Sequence, residues 1–170
     1  MTRPRVVLYN PKAVFFTMPL GLLAVGSHLD RSRTDVVLVD GRLERDPAAA
    51  VVAALEAGTG PGAGPAIVLG VSVLTGAPIQ DAIDVSRAAK ARFPRLPVVW
   101  GGWHPSLFPE ACLDEPSVDV TVQAQGEETF AEIVRRLEAG ESLEGCAGCT
   151  FRGASGEARR QPPRPLSPLS

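Results

Sequence analysis

The chain has 170 residues, 45% hydrophobic and 21% charged, with a formal net charge of −2. That suffices for one domain with an ordinary core and excludes both a disordered chain and the basic footprint of a nucleic-acid binder. No apolar run approaches the roughly 18–20 residues that span a bilayer, and three cysteines do not make a disulfide framework.

The N-terminus passes straight into a strand-like run with no signal-peptide pattern, so the expected compartment is the cytoplasm. Arg5 to Tyr9 reads as a first strand, closed by the turn dipeptide Asn10-Pro11. A loop with Phe15, Phe16 and Met18 follows. Pro19 then opens a helix at the position where its missing N–H does no harm. Gly21, Ala24 and Gly26 keep that helix slim, for close packing on a sheet or for a ligand at its N-terminal end. Asp35 to Asp40 is a second strand. Asp46-Pro47 caps a second helix reaching Ala57, with Ala48, Val51, Val52 and Leu55 on one stripe. Gly58 to Pro65 is low-complexity and precedes a strand instead of opening a helix, which makes it a flexible surface connection and not a phosphate loop.

Ala66 to Ser72 is the most continuously apolar strand, as expected at the centre of a parallel sheet covered on both faces. Val73 to Gly76 is its exit loop. Pro78 starts a third helix to Phe93, with Ile79, Ala82, Ile83, Ala89 and Phe93 inward. Val98-Val99-Trp100 is a fourth strand that runs into Gly101-Gly102, where a bare backbone permits close approach of a ligand, and then into Trp103-His104-Pro105. A short helix near Ser106 to Leu113 and a fifth strand, Val118 to Val122, follow. Gln125-Gly126-Glu127-Glu128 leads into a helix with Phe130, Ile133, Val134 and Leu137 on one face. Acids in its first turn, Arg135 and Arg136 near its end and Gly140 beyond suit its dipole and C-cap. Cys149 to Arg152 is a small terminal strand. The Pro-rich remainder carries no core pattern, so the expected division is a domain over 1–155 and a linker or tail over 156–170.

Strand and helix alternate five times, which predicts a doubly wound, five-stranded parallel α/β sheet of flavodoxin-like order 2-1-3-4-5. Ligands in such sheets lie beyond the C-terminal strand ends. A dinucleotide needs G-x-G-x-x-G after the first strand, and Asn10-Pro11-Lys12 stands there instead. A flavin mononucleotide site wants a hydroxyl-rich loop, and only Thr17 is available. A phospho-acceptor domain needs acids where Asn10 and Ser72 stand. A stand-alone nucleotide- or flavin-binding protein of this fold remains the competing reading.

The ordered set Asn10-Pro11, Pro19-Leu20-Gly21-Leu22-Leu23, Val39-Asp40, Gly70 to Thr75, Gly101 to Pro105 and Gly126 to Phe130 resembles the cobalamin-binding domain at the N-terminus of many radical S-adenosylmethionine enzymes. The resemblance spans about residues 5 to 155. It implies cobalamin held base-off, with its nucleotide tail in a slot walled by Gly101 and Gly102. Ser72 and Thr75 would bond the tail and Leu74 would pack on it. The corrin would meet the loops carrying Asn10, Pro19, Leu20, Trp103, His104, Gln123, Gln125, Gly126 and Glu127. The implied role is to present the cofactor, for methyl transfer, to a catalytic domain that supplies the iron–sulfur cluster and S-adenosylmethionine. The chain itself lacks the C-x-x-x-C-x-x-C of such a domain. Members commonly show Gly-Glu-Gly-Glu where Ala124, Gln125, Gly126 and Glu127 stand here. The Asp-x-His-x-x-Gly that ligates cobalt in corrinoid proteins is missing after the first strand, so no protein ligand to the metal is expected.

The remaining motifs have plainer readings. His104 reads as a neutral histidine in the pocket wall, and His28 as a helix-terminal surface residue. Cys146-Ala147-Gly148-Cys149 lacks a second ligand pair for zinc and reads as two buried small residues. Glu127 and Glu128 are adjacent on a helix, do not face each other, and serve its dipole. Asp40 before Gly41 reads as a strand-ending turn.

Overall fold

A computed structural model describes residues 2–13, 18–57 and 63–166. Phe15, Phe16, Thr17, most of the glycine-rich connection (58–62) and the last four positions of the tail lie outside the described residues. The strands are β1 (Arg3–Asn10), β2 (Asp35–Asp40), β3 (Ala63–Ser72), β4 (Val98–Gly101), β5 (Val120–Val122), β6 (Cys149–Arg152) and β7 (Ala158–Arg160). The helices are α1 (Leu20–His28), α2 (Pro47–Glu56), α3 (Pro78–Arg92), α4 (Trp103–Leu107), α5 (Pro109–Leu113) and α6 (Glu127–Ala139). The strands form one sheet in the order β2-β1-β3-β4-β5-β6-β7. The first five are mutually parallel, in the expected flavodoxin-like order, and β6 and β7 add antiparallel to the β5 edge.

Alternation along β1 sets the layers. Val7 and Tyr9 face a core shared with α2, α3 and α5, whereas Val6 and Leu8 face a second core under α1 and α6. Trp100 belongs to the first core, with its indole N–H on Ser86 Oγ at 3.0 Å, and Val99 to the second. The strand that runs into the glycine pair therefore commits its large ring to the α3 side and presents only valine to the other face.

Several boundaries differ from the sequence expectation for identifiable reasons. The third strand begins at Ala63, where it pairs with Arg3 through an irregular register that apolar patterning does not mark. The short helix expected over Ser106 to Leu113 is two helices, broken at Phe108 (φ −133, ψ 57), because Pro109 disfavours helical backbone in the residue before it. The sheet also runs past residue 155. Its outermost strand, Ala-Arg-Arg, has no apolar alternation; it is held by its backbone pairing with β6, with exposed ion pairs from Arg159 to Glu144 at 2.6 Å and from Arg160 to Glu110 at 3.4 Å beside it. Arg152 ties the added layer to the parallel sheet by donating to the carbonyls of Leu113, Glu115 and Val118. Beyond β7, Arg164 donates to Thr129 Oγ1 at 2.8 Å and pairs with Glu132, so the Pro-rich segment lies along α6 as far as it is described.

Two residues next to the strand ends have left-handed backbone of opposite fitness. Gly102 has φ +96, and a Cβ there would stand 3.0 Å from the Val73 carbonyl oxygen and 3.1 Å from its nitrogen. Ala124 has φ 58 although it carries a side chain. The substitutions Gly102→Ala and Ala124→Gly should therefore shift stability in opposite directions, down by about 2 kcal/mol and up by about 1 kcal/mol respectively, in urea unfolding.

Candidate functional site

The site lies at the C-terminal ends of the parallel strands, where the loops after β3, β4 and β5 are hydrogen-bonded to one another. Val73 N–H donates to the Gly101 carbonyl at 2.7 Å, and His104 N–H donates to the Val73 carbonyl at 3.1 Å. Ser106 Oγ donates to the Gly102 carbonyl at 2.7 Å and accepts the Ala124 N–H at 3.0 Å. Serine performs both tasks because a hydroxyl is donor and acceptor at once.

Two cavities meet at these loops. The first, of about 310 Å³, is a slot on the second-core face of the sheet between α1 and α6. Its floor is Leu8, Gly70, Val99, Val122 and Phe130. Gly70 makes this floor possible: a Cβ there would lie 2.9 Å from both Leu8 Cδ2 and Phe130 Cζ. The second cavity, of about 520 Å³, opens over the strand ends between Asn10, Pro19, Leu74, Pro78 and Trp103. Gly21, Leu22, Ser72, Gly102 and Ala124 line both, so slot and bowl are continuous. Each volume lies within the roughly 300–1,000 Å³ of small-molecule sites.

The structure gathers most of the residues singled out from the sequence. Asn10, Pro19, Leu20, Leu74 and Trp103 line the bowl; Gly101, Gln125, Gly126 and Glu127 line the slot; Ser72 and Gly102 line both. The Asn10 amide donates to Asp40 Oδ1 at 3.0 Å. The Arg42 guanidinium, with help from Asn10, holds that Asp40 carboxyl down to about 2, so Asp40 anchors the wall as a carboxylate.

Three residues stand apart from both cavities. Thr75 Oγ1 lies 3.4 Å from His104 Nδ1, and the His104 ring packs against Phe108 with centroids 5.4 Å apart. Burial pushes the His104 imidazole below its ordinary value, which keeps it neutral. Gln123 is turned back into the sheet, donating to Thr121 Oγ1 at 3.0 Å and accepting from Thr150. In each case a neighbouring side chain or the α4 turn takes up the group that sequence position alone left free.

Sequence reasoning missed most of the slot floor. Leu8, Val99 and Val122 read only as core valines and leucine, because a cavity floor and a packed core present the same side chains. Gly70 carried the available signal: a glycine inside an otherwise unbroken apolar strand marks a place where something approaches closely. Ser106, inside an unremarkable helix, carried none.

The glycine pair divides its work. A Cβ at Gly101 would meet nothing nearer than Val122 Cβ at 3.8 Å, so a side chain there enters the slot without disturbing the backbone. Gly102, in contrast, is required by its own conformation.

Comparison with known proteins places this geometry. The chain matches the B12 binding domain family over residues 7–134. It is 34% identical over 149 residues to an uncharacterized methyltransferase of Pyrococcus horikoshii, covering 87% of this chain and 30% of that protein. The chain thus spans about a third of the length of the curated relatives it matches. Among solved structures it superimposes on the radical S-adenosylmethionine methyltransferase TsrM of Kitasatospora setae, determined with cobalamin and a [4Fe-4S] cluster bound. The TM-score is 0.79 at 24% identity, over 99% of this chain and 30% of that one. The cobalamin-dependent S-adenosylmethionine radical enzyme OxsB, with aqua-cobalamin and S-adenosylmethionine bound, gives a TM-score of 0.78 at 18% identity, over 96% of this chain and 23% of that one. These two likenesses are likenesses of fold. With the family match over most of the sheet and a slot and bowl at its strand ends, the chain belongs to the B12 binding domain family.

Proposed function

We propose that this chain holds cobalamin base-off and presents it to a radical S-adenosylmethionine catalytic domain that supplies the iron–sulfur cluster and S-adenosylmethionine, for methyl transfer. The observation that carries the reading is the continuity of a narrow apolar slot with a wider bowl at the strand ends, a shape suited to a long nucleotide tail and a broad ring. The residues fit the group. Gly101 leaves the slot open, a Cβ there meeting nothing nearer than Val122 Cβ at 3.8 Å, the slot floor is apolar, and polar Ser72 stands where the two cavities join. Bound cobalamin supplies a cobalt-borne methyl group; the protein supplies orientation and a shielded face.

The rim of the bowl supports a partner domain. Met18, Leu20 and Trp103 are 63%, 65% and 70% exposed. Large apolar side chains grouped around a ligand mouth mark a contact surface more often than solvent-facing decoration. Among the described residues no helix is long and apolar enough to cross a membrane.

His104 does not serve the metal in this reading. Its backbone N–H is engaged by Val73, its ring lies on Phe108, and it lines neither cavity. On this reading His104 would hold no metal, and bound cobalamin would take up its methyl group without a ligand from that side chain.

Incubation with hydroxocobalamin, desalting and visible spectroscopy test the binding claim: a retained corrinoid spectrum of base-off form is expected, and a colourless protein, or one retaining a yellow flavin, would overturn it. Gly101→Leu should reduce retention at least about tenfold, since the side chain occupies the slot that the tail needs. Its circular dichroism and unfolding midpoint should stay close to the parent's. In paramagnetic resonance of the Co(II) form, three-line nitrogen splitting should be absent, and the spectrum should be unchanged in His104→Ala.

A further inference from the structure

Resting on the cofactor reading above, we propose that the slot selects among cobamides by their lower base, taking a benzimidazole bearing apolar substituents and disfavouring a purine. The floor of Leu8, Gly70, Val99, Val122 and Phe130, with Leu22 of α1 beside it, carries no side-chain hydrogen-bonding group. The Leu8, Val99, Val122, Phe130 and Leu22 side chains are buried within the second core, at 1% to 6% exposure. The floor's backbone is also committed. Leu8 pairs with Gly70, Gly70 with Val99, and Val99 with Val120 in the parallel ladder.

Polar side chains occur only at the margins of the slot. Ser72 sits where slot and bowl join, and Gln125 and Glu127 sit on the opposite side, where the slot meets a small polar recess of about 130 Å³ that they share with His28 and Arg164. A base pushed onto the floor therefore exchanges water for aliphatic and aromatic carbon. Two methyl groups on a benzimidazole gain from that exchange, by roughly 0.8 kcal/mol per buried carbon, or about fourfold each at 1.4 kcal/mol per decade. The exocyclic amino group and ring nitrogens of adenine lose their hydrogen bonds with nothing to replace them. Gly70 sharpens the choice. With no Cβ at that position, the Phe130 ring packs close to the strand, so the floor there is aromatic carbon with no polar side chain to meet a polar base.

Equilibrium binding to the chain, followed by the corrinoid visible spectrum, decides this with four ligands that share one corrin: cobalamin, the unsubstituted benzimidazolyl cobamide, the adeninyl cobamide, and cobinamide, which has no nucleotide tail. The expected order of affinity is cobalamin, then the unsubstituted benzimidazole about tenfold weaker, then adenine weaker by roughly another tenfold or more. Cobinamide should bind weakly. Val122→Thr puts a hydroxyl on the floor and should narrow the gap between cobalamin and the adeninyl cobamide; the ligand series on the unaltered chain stands as the test should that variant not fold. Equal affinity for cobalamin and the adeninyl cobamide would overturn the selectivity while leaving the cofactor reading intact. Cobinamide binding as tightly as cobalamin would show that no tail enters the slot and would also overturn it. Failure of all four to bind would remove the cofactor reading itself and this inference with it.

Discussion

The hydrogen bonds that join the loops after β3, β4 and β5 give this sheet a usable end. A parallel sheet delivers its strand ends side by side, but each then leaves by a separate loop with backbone groups to satisfy. Here the Val73 carbonyl accepts the His104 N–H, the Gly101 carbonyl accepts the Val73 N–H, and Ser106 spans Gly102 and Ala124. Three loops become one rigid lip. Gly102 must then run at φ +96 with the Val73 backbone where a Cβ would stand. The glycine is the consequence of the stitching, and it stands in the lining that slot and bowl share.

Below that lip the cavity depends on a different economy of side chains. The two faces of the sheet are not equivalent. One is filled by Trp100, Tyr9 and the helices α2 and α3, with the Trp100 and Tyr9 polar atoms bonded to Ser86 and Asp81. The other carries smaller residues over the central strands, and α1 and α6 lie on it without closing it. Gly26 on α1 lies close to Leu8 and Val36, which brings that helix tight against β1 and β2 and leaves the opening on its α6 side. A slot at this place therefore needs no unusual residue; it needs the large rings to be sent to the other face, which strand parity accomplishes.

Much of this was legible from residue order. Five alternations of strand and helix, the apolar continuity of Ala66 to Ser72 and the spacing of Phe130, Ile133 and Val134 fixed the layers, because periodicity is dictated by backbone geometry and is local. What failed to show was non-local. The outermost strand Ala158–Arg160 exists because β6 offers it an edge, with Glu144 and Glu110 facing its arginines, neither of which is visible in a window of three residues. Thr75, His104 and Gln123 stand at strand ends, where position alone suggests a site; Thr75 and His104 face each other across 29 residues and Gln123 bonds Thr121 two residues away, none of which a local pattern shows. Strand-end location places residues beside the slot and bowl, and side-chain partners decide which of them line it.

Ala124 links these levels. By resemblance its position is commonly glycine, and its φ of 58 explains that preference in conformational terms. An alanine persists there at a cost of about 1 kcal/mol, and its N–H is the group that Ser106 accepts at 3.0 Å. The bond offsets the strain in part and fixes the loop that carries Gln125 and Gly126 past the slot. The methyl group, exposed at the join of slot and bowl, is a side chain where members with glycine have none. Ala124 thus stands with Gly21, Leu22, Ser72 and Gly102 in the lining that slot and bowl share, held there by one strained backbone and the serine that bonds it.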